Sequence, residues 1–273
     1  MLINGEPGLS VSALDRGLAY GDGAFETVRY TGHHLVLWPD HRQRLMATCD
    51  ALKISLDVDA LEAELLRVLA NRNEDGVLKV LITRGAGGRG YKPEPGLQAT
   101  RIVYFQALQN PRALDYRNGI KVIICQHRLS SGGYLAGMKH LNRLEQVMAS
   151  MELVDGYDEG LMLDANESVI EGTRSNIFIA RDGRLMTPAL DASGVAGVMR
   201  DYLIRCFLEQ GLAVASVKLS LREVMEADEV FMCNSVFGVW PVTGISTPDG
   251  SRQWSVGELV NQAFQFQDKA FSP

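Results

Sequence analysis

Four short segments bring together residue types that can do chemistry. Lys139 stands in Gly137-Met138-Lys139-His140-Leu141-Asn142-Arg143-Leu144, between a glycine-bearing approach and a run with apolar residues at helical spacing. A lysine whose backbone is fixed by an adjoining helix, and whose side chain reaches into a cleft, can form an imine and then shuttle protons. Glu171 ends the apolar stretch Val169-Ile170 and precedes Gly172-Thr173-Arg174-Ser175, after which Asn176-Ile177-Phe178 resumes a strand pattern. A carboxylate there either points into a site or decorates a surface turn. Gly194-Val195-Ala196-Gly197-Val198-Met199-Arg200 runs, glycine-spaced, into a helix pattern. The unpaired amides at such a helix start make an anion pocket. Arg44, in His41-Arg42-Gln43-Arg44-Leu45, can pair with a phosphate or with Asp40, and Asn234-Ser235 after a strand can add donors.

Gly85-Ala86-Gly87-Gly88-Arg89-Gly90 matches the glycine spacing of a dinucleotide-binding turn and follows a strand pattern. Such a turn must open a helix whose amides carry the pyrophosphate. Tyr91-Lys92-Pro93-Glu94-Pro95 follows instead, and two prolines so close together cannot propagate a helix. What survives is a loop presenting Arg84, Arg89 and Lys92, suited either to gripping a carboxylate or to plain solvation.

The chain that must position these groups has 273 residues, is 46% hydrophobic and 22% charged, and carries a formal charge of −6. This composition excludes a disordered, collagen-like or disulfide-framework protein. At about 150 residues per domain the length predicts roughly two domains. The mild acidity is spread out, and the absence of a basic run disfavours nucleic-acid binding. The start lacks the pattern of an export signal, and no apolar run approaches the roughly 18 residues that cross a bilayer. Cys49, Cys125, Cys206 and Cys233 show no CxxC spacing, and the five histidines show no ligand spacing. The expectation is free thiols in a reducing cytoplasm, with no metal and no membrane partner.

A hairpin is predicted from Ala24–Tyr30 and His34–Leu37. A helix opened by Pro39-Asp40 carries Leu45, Cys49 and Leu52, and a second helix runs from about Asp59 to Asn71. Strands are predicted over Val77–Thr83 and Arg101–Leu108, and Asn110-Pro111-Arg112-Ala113 is the linker candidate. Beyond it come a strand at Ile120–Cys125 and an amphipathic helix over Leu141–Leu153, with Leu141, Leu144, Met148 and Met151 inward. A β-meander is predicted over Gly160–Asp164, Ser168–Glu171, Asn176–Ala180 and Leu185–Thr187. A helix near Gly197, a short helix at Leu221–Glu226, a strand at Glu229–Cys233 and a helix from Ser255 complete the chain. Strands and helices are segregated, which predicts two α+β domains: residues 1–109, a linker at 110–118, and residues 119–273 carrying the lysine.

Together and in this order, the segments resemble the fold-type IV pyridoxal phosphate enzymes, the branched-chain and D-amino-acid aminotransferase group. The group signals are Tyr20-Gly21-Asp22-Gly23-Ala24-Phe25-Glu26-Thr27, His41-x-x-Arg44-Leu45, Lys139, Glu171-Gly172 through Asn176-Ile177-Phe178, and Gly197-Val198-Met199-Arg200. Within the group, Thr83-Arg84-Gly85-x-Gly87-Gly88-Arg89-Gly90-Tyr91 and Leu135-Ala136-Gly137-x-Lys139 through Val147 resemble the aminodeoxychorismate lyases. Leu144 stands near where branched-chain transaminases place a cofactor-contacting tyrosine, which argues against that activity.

The resemblance implies an active site in an interdomain cleft and a pyridoxal 5'-phosphate cofactor carried by Lys139. It implies Glu171 opposite the pyridine nitrogen, and Arg44, Val198, Met199 and Ser235 around the phosphate, with Asn176 also on the cofactor. Thr27 would protonate the departing group, and Arg89, with Arg84 as a weaker candidate, would bind a substrate carboxylate. It further implies a homodimer and a folate-pathway lyase making 4-aminobenzoate and pyruvate. A D-amino-acid or branched-chain aminotransferase is the alternative reading. A phosphate-sensing binding protein is a third, but it leaves Lys139 and Glu171 without a role.

Overall fold

The computed structural model describes residues 1–108, 117–247 and 250–272. The chain divides into two units, Met1–Gln109 with Lys139–Asn142, and Asn110–Met138 with Arg143–Ser272. The linker candidate Asn110-Pro111-Arg112-Ala113 lies outside the described residues.

In the first unit, strands β1 (Leu2–Ile3) and β2 (Glu6–Pro7) precede a short helix α1 (Arg16–Tyr20), whose N-cap Asp15 accepts from the Gly17 amide. Then come β3 (Gly23–Thr31), α2 (Trp38–Ala51), α3 (Val58–Leu69), β4 (Asp75–Thr83) and β5 (Thr100–Ala107). The sheet order is β2-β1-β5-β4-β3, with every neighbouring pair antiparallel. Along β4, Leu78, Val80 and Ile82 are buried, while the intervening Val77, Lys79 and Leu81 are only half-buried. The buried set packs with Val28 and Val103 against Leu45 and Cys49 of α2 and Leu61 and Leu65 of α3. Each such aliphatic side chain contributes about 1.5–3 kcal/mol by leaving water.

Strand side chains alternate between faces. Phe25 and Thr27, paired with Leu81 and Lys79, therefore share the face away from the helices, while Ala24, Glu26 and Val28 share the helix face. The hairpin arm expected over His34–Leu37 shrinks to one bridge, Tyr30↔Leu35. β3 takes its strand partner from β4 instead, which offers nine paired residues.

The second unit contains β6 (Ile120–Leu129), α4 (Leu144–Ser150), β7 (Glu159–Asp164), β8 (Ser168–Gly172), β9 (Asn176–Arg181) and β10 (Arg184–Pro188). It continues with α5 (Val198–Glu209), β11 (Val214–Val217), β12 (Leu219–Ser220), α6 (Leu221–Met225), β13 (Glu229–Asn234), β14 (Gly238–Thr247), β15 (Gly250–Gln253) and α7 (Glu258–Phe271). The sheet order is β11-β10-β9-β13-β14-β6-β7-β8-β12, with β15 on β14. Ile120, Val122, Leu161, Leu163, Ile177, Ile179, Val230, Met232 and Trp240 form its core. Segregated strands and helices make the fold α+β, as expected.

Two expectations need correction. The meander does not exist as a continuous run: β7–β8 and β9–β10 are hairpins, but β9 pairs with β13 and β8 with β12. Ile177 to Ala180 are buried without alternation, the mark of a central strand that needs a neighbour on each side. The helix expected over Leu141–Leu153 is the shorter α4, and its orientation is the reverse of the expected one. Leu144, Met148 and Met151 are 71%, 44% and 72% exposed, and the small Ala149 is buried instead.

The lysine also belongs to a different body than expected, since Lys139–Asn142 cluster with the first unit. The cause is backbone pairing. The Phe25 amide donates to Lys139 O (3.1 Å), the Leu141 amide donates to Gly23 O (2.9 Å), and His140 bridges Ala24.

Candidate active site

In the first unit the lysine is placed by that strand-like pairing on the edge of β3. The Gly21-Asp22-Gly23 turn leaves room for it. Gly21 has a left-handed φ of 65°, and a Cβ on Gly23 would lie 2.2 Å from Ile82 O. Asn142 Nδ2 then donates to Gly21 O (3.1 Å). Lys139 Nζ lies 4.4 Å from the Phe25 ring centroid, and Lys79 Nζ lies at the same 4.4 Å. Lys79 also donates to Thr27 Oγ1 at 2.8 Å. Burial pulls the Lys79 ammonium below its usual pKa, partly offset by the Glu26 charge. Two lysines, a hydroxyl and an aromatic ring thus share the sheet face opposite α2.

On the other face, Glu26 is fully buried and accepts from Arg44 Nε (2.8 Å), Arg44 Nη2 (2.6 Å) and His41 Nδ1 (2.6 Å). Burial alone would raise the Glu26 pKa, but the Arg44 charge and these hydrogen bonds outweigh it and hold the group at about 2. Burial keeps His41 below its ordinary value, hence neutral, and among the described residues its Nε2 finds no partner. In this cluster Arg44 pairs with Glu26. Glu26 fixes the plane of the guanidinium, whose fork geometry offers two edges.

The arginines of the glycine-rich segment divide sharply. Arg84, a candidate for a substrate carboxylate, is committed elsewhere. Its Nε and Nη2 donate to Asp22 (2.7 and 2.8 Å), and further donors reach Leu52 O (2.7 Å) and Lys53 O (2.9 Å). It is a tie within the unit. Arg89 is exposed and, among the described residues, takes part in no hydrogen bond or ion pair.

In the second unit Glu171 is buried at the end of β8. Its Oε2 accepts from the Val195 amide (2.8 Å) and its Oε1 from Gln146 Nε2 (3.2 Å). Asn176, expected on the cofactor, holds the same loop from the other side. Its Nδ2 donates to Val195 O (2.9 Å), and its Oδ1 lies where a Cβ on Gly197 would come within 1.9 Å. Asn176 therefore shapes the backbone that leads into α5. Gly137 N donates to Gly194 O and Ala196 N to Gly137 O, both at 2.9 Å, so this loop also pairs with the approach to Lys139.

The twelve-residue helix α5 begins at Val198 with N-cap Gly197, which supplies no side-chain cap. The amides of Val198 and Met199 precede the first one that bonds within the helix, Asp201 N to Gly197 O (2.9 Å). Asn234 Oδ1 takes the amides of Val236 and Phe237 (2.9 and 2.8 Å), shaping the turn that holds Ser235.

Sequence reasoning gave no role to Glu26, His41, Lys79 or Gln146. His41 and Arg44 share one helix face at i, i+3, which is a signal for a common partner. Lys79 interrupts the apolar run Val77–Ile82, and a charge in the middle of a strand is the signal that could have found it.

The donor set fits pyridoxal phosphate. It offers a primary amine, a buried carboxylate oriented by the Val195 and Gln146 amides, and an uncapped helix start for a dianion. The amino-transferase class IV family model matches residues 23–245. An aminodeoxychorismate lyase of Vibrio harveyi is 34% identical over 95% of this chain and 96% of its own length. A putative branched-chain-amino-acid aminotransferase of Methanocaldococcus jannaschii is 31% identical over 94% and 90%. The crystal structure of 4-amino-4-deoxychorismate lyase from Pseudomonas aeruginosa superposes with a TM-score of 0.90 at 42% identity, covering 98% of this chain and 97% of that one. The chain belongs to the aminotransferase class IV family, and its cofactor is pyridoxal phosphate.

Proposed function

We propose that the chain is an aminodeoxychorismate lyase, which converts 4-amino-4-deoxychorismate to 4-aminobenzoate and pyruvate and so serves folate synthesis. The observation that carries this reading is Thr27 Oγ1 accepting from Lys79 at 2.8 Å, on the face that also holds Lys139. A transaminase moves one proton between two carbons, and a single lysine suffices. A lyase must also protonate a departing enolpyruvyl group, which calls for a second acid.

When bound, pyridoxal phosphate supplies an electron sink for the charge left by deprotonation of the substrate. Lys139 carries the cofactor and, as a free amine, removes the substrate's ring proton. The ammonium of Lys79 occupies the Thr27 oxygen lone pair, orients its O–H outward and makes it a better acid toward the leaving group. Arg89 grips a substrate carboxylate, and loss of the enolpyruvyl group leaves an aromatic ring. Glu171 holds the proton on the cofactor's ring nitrogen. The Val198 and Met199 amides, the Ser235 hydroxyl and the second edge of Arg44 take the phosphate. Asn176 acts through Val195, as a positioning residue.

Fluorescent 4-aminobenzoate should form from aminodeoxychorismate with the wild-type holoenzyme and fall to background with Lys139→Ala. Absence of product from the wild type would sink the reading. The aminotransferase relative at 31% identity favours a second activity on amino acids. Sustained half-reactions with D- or branched-chain amino acids, without lyase turnover, would establish it instead.

The reading extends to a homodimer. Leu144, Val147 and Met148 of α4 and its C-cap Met151 lie at i, i+3, i+4 and i+7 and are exposed, a patch that a soluble protein ordinarily covers. Sedimentation that finds only monomer at micromolar concentration would refute it. No helix among the described residues is long and apolar enough to cross a membrane. The four cysteines are free, which supports a cytoplasmic setting.

A further inference from the structure

The glycine-rich segment is held at its stem by backbone and at its tip by one buried side chain. At the stem, Arg16 N donates to Gly85 O (2.9 Å), Gly87 N donates to Leu14 O (3.3 Å), and Asp15 bridges Ala86. At the tip, Arg16 donates through Nη1 to Gly90 O (3.0 Å) and through Nη2 to Tyr91 O (2.7 Å), while its Nε pairs with Asp22 (2.9 Å). The guanidinium also lies 4.8 Å from the Tyr20 ring centroid, and Tyr20 contacts the Tyr91 ring at 5.5 Å.

Arg16 is only 3% exposed, so its fork is sheltered from competing water. Asp22 joins it to Arg84 at the end of β4. Burial would raise the Asp22 pKa, but hydrogen bonds from both arginines overcome this and keep it charged. Gly88 and Gly90 adopt left-handed φ values of 78° and 73°. That conformation turns the carbonyls of residues 90 and 91 toward the guanidinium. No atom lies within 4 Å of a Cβ built on Gly90, so its requirement for glycine is conformational rather than steric.

Arg89 sits directly before the first clamped carbonyl. The next residue, Gly90, is thus fixed by one 74 positions before it, while the Arg89 side chain stays uncommitted. We infer that Arg16 is a positioning residue for substrate: by clamping Gly90 and Tyr91 it fixes where Arg89 stands to receive the substrate carboxylate. The inference rests on the reading of Arg89 as the carboxylate-binding residue. A lysine at position 16 could keep the pairing with Asp22, but one ammonium cannot reproduce a planar fork spanning two carbonyls.

The test is steady-state kinetics of the holoenzyme on aminodeoxychorismate, with tryptic cleavage of the Arg89–Gly90 bond as an independent readout. In Arg16→Lys the KM should rise about tenfold with kcat within about twofold, since a misplaced binding group costs affinity before it costs chemistry. Cleavage at Arg89 should accelerate. Gly90→Ala, which leaves the Arg16–Asp22 pair untouched, should shift KM in the same direction and serves if Arg16→Lys does not fold. In an Arg89→Ala background, Arg16→Lys should add nothing further to KM. A faster-cleaved loop with unchanged KM, or an undiminished KM penalty in the Arg89→Ala background, would overturn the inference. If Arg89→Ala itself leaves KM unchanged, the assignment of Arg89 fails, and that failure is distinct from failure of the clamp, which the cleavage rate reports.

Discussion

Glu26 and Glu171 are buried glutamates of the first and the second unit, and the groups that hold them differ. Glu26 receives a two-point contact from the Arg44 guanidinium and a third bond from His41, and it is held charged at about pKa 2. Glu171 accepts from the Val195 amide and the Gln146 carboxamide, and its charge interacts with that of Arg143. A carboxylate locked into a direct ion pair has its charge consumed by the fold. Its removal strands a buried cation, and such losses are expensive. Glu171, oriented by the Val195 and Gln146 amides, is the carboxylate that the proposed function sets against the protonated heterocycle. Burial alone therefore does not mark a functional acid, since Glu64 and Glu159 are buried as well.

That contrast can be broken in three ways. The largest effect belongs to Glu171→Gln. Its kcat should fall by about 10²–10³-fold, the usual scale for removing one aligned electrostatic partner. Its unfolding free energy should move by less than about 1 kcal/mol, because the carboxamide oxygen still accepts from Val195. Unfolding in urea and turnover on the same sample decide this, and a loss of stability with intact turnover would reverse the roles.

Glu26→Gln should do the opposite, lowering stability by about 3 kcal/mol through the stranded Arg44. An unchanged urea midpoint would show that the pair contributes nothing.

The smallest effect is the pH dependence of that stability. The folded-state pKa of Glu26 lies below its ordinary 4.5, so its contribution is full above about pH 4.5 and is lost as the pH falls through about 2. His41 is kept neutral, below its ordinary 6.5, so the unfolded chain takes up that proton first and stability starts to decline below about pH 6.5. Urea midpoints against pH should show both phases in the wild type and lose the lower one in Glu26→Gln. Identical acid limbs would contradict the assignment.

The parts of the site that a sequence exposes are local. Lys139 before an apolar run, Glu171 at a strand end and Gly197 before a helix each occupy a few consecutive residues, and their motifs were legible. The partnerships were not. Thr27 and Lys79 are 52 residues apart, and they meet only because β3 and β4 pair in one particular register. Glu26 reaches His41 and Arg44 across a strand–helix connection, and periodicity tells which face a residue takes but not who faces it.

Periodicity also misled. The apolar stripe of α4 reads as core, because a buried face and an uncovered one have the same spacing. The four strands of residues 160–187 were found, but their order was not, since β13 enters the sheet from about 50 residues later in the chain.

The alternation along β3 places Phe25 and Thr27 with the lysines, and Glu26 between them with the arginine and histidine. Inserting or deleting a single residue within Gly23–Thr31 would exchange these two sets, pushing a hydroxyl into the aliphatic interior and a carboxylate toward Lys79 and Lys139. Drift in chain length is therefore barred from this strand and confined to the connections on either side. Any lineage that keeps this chemistry must keep the count of residues here, even where it changes their identity.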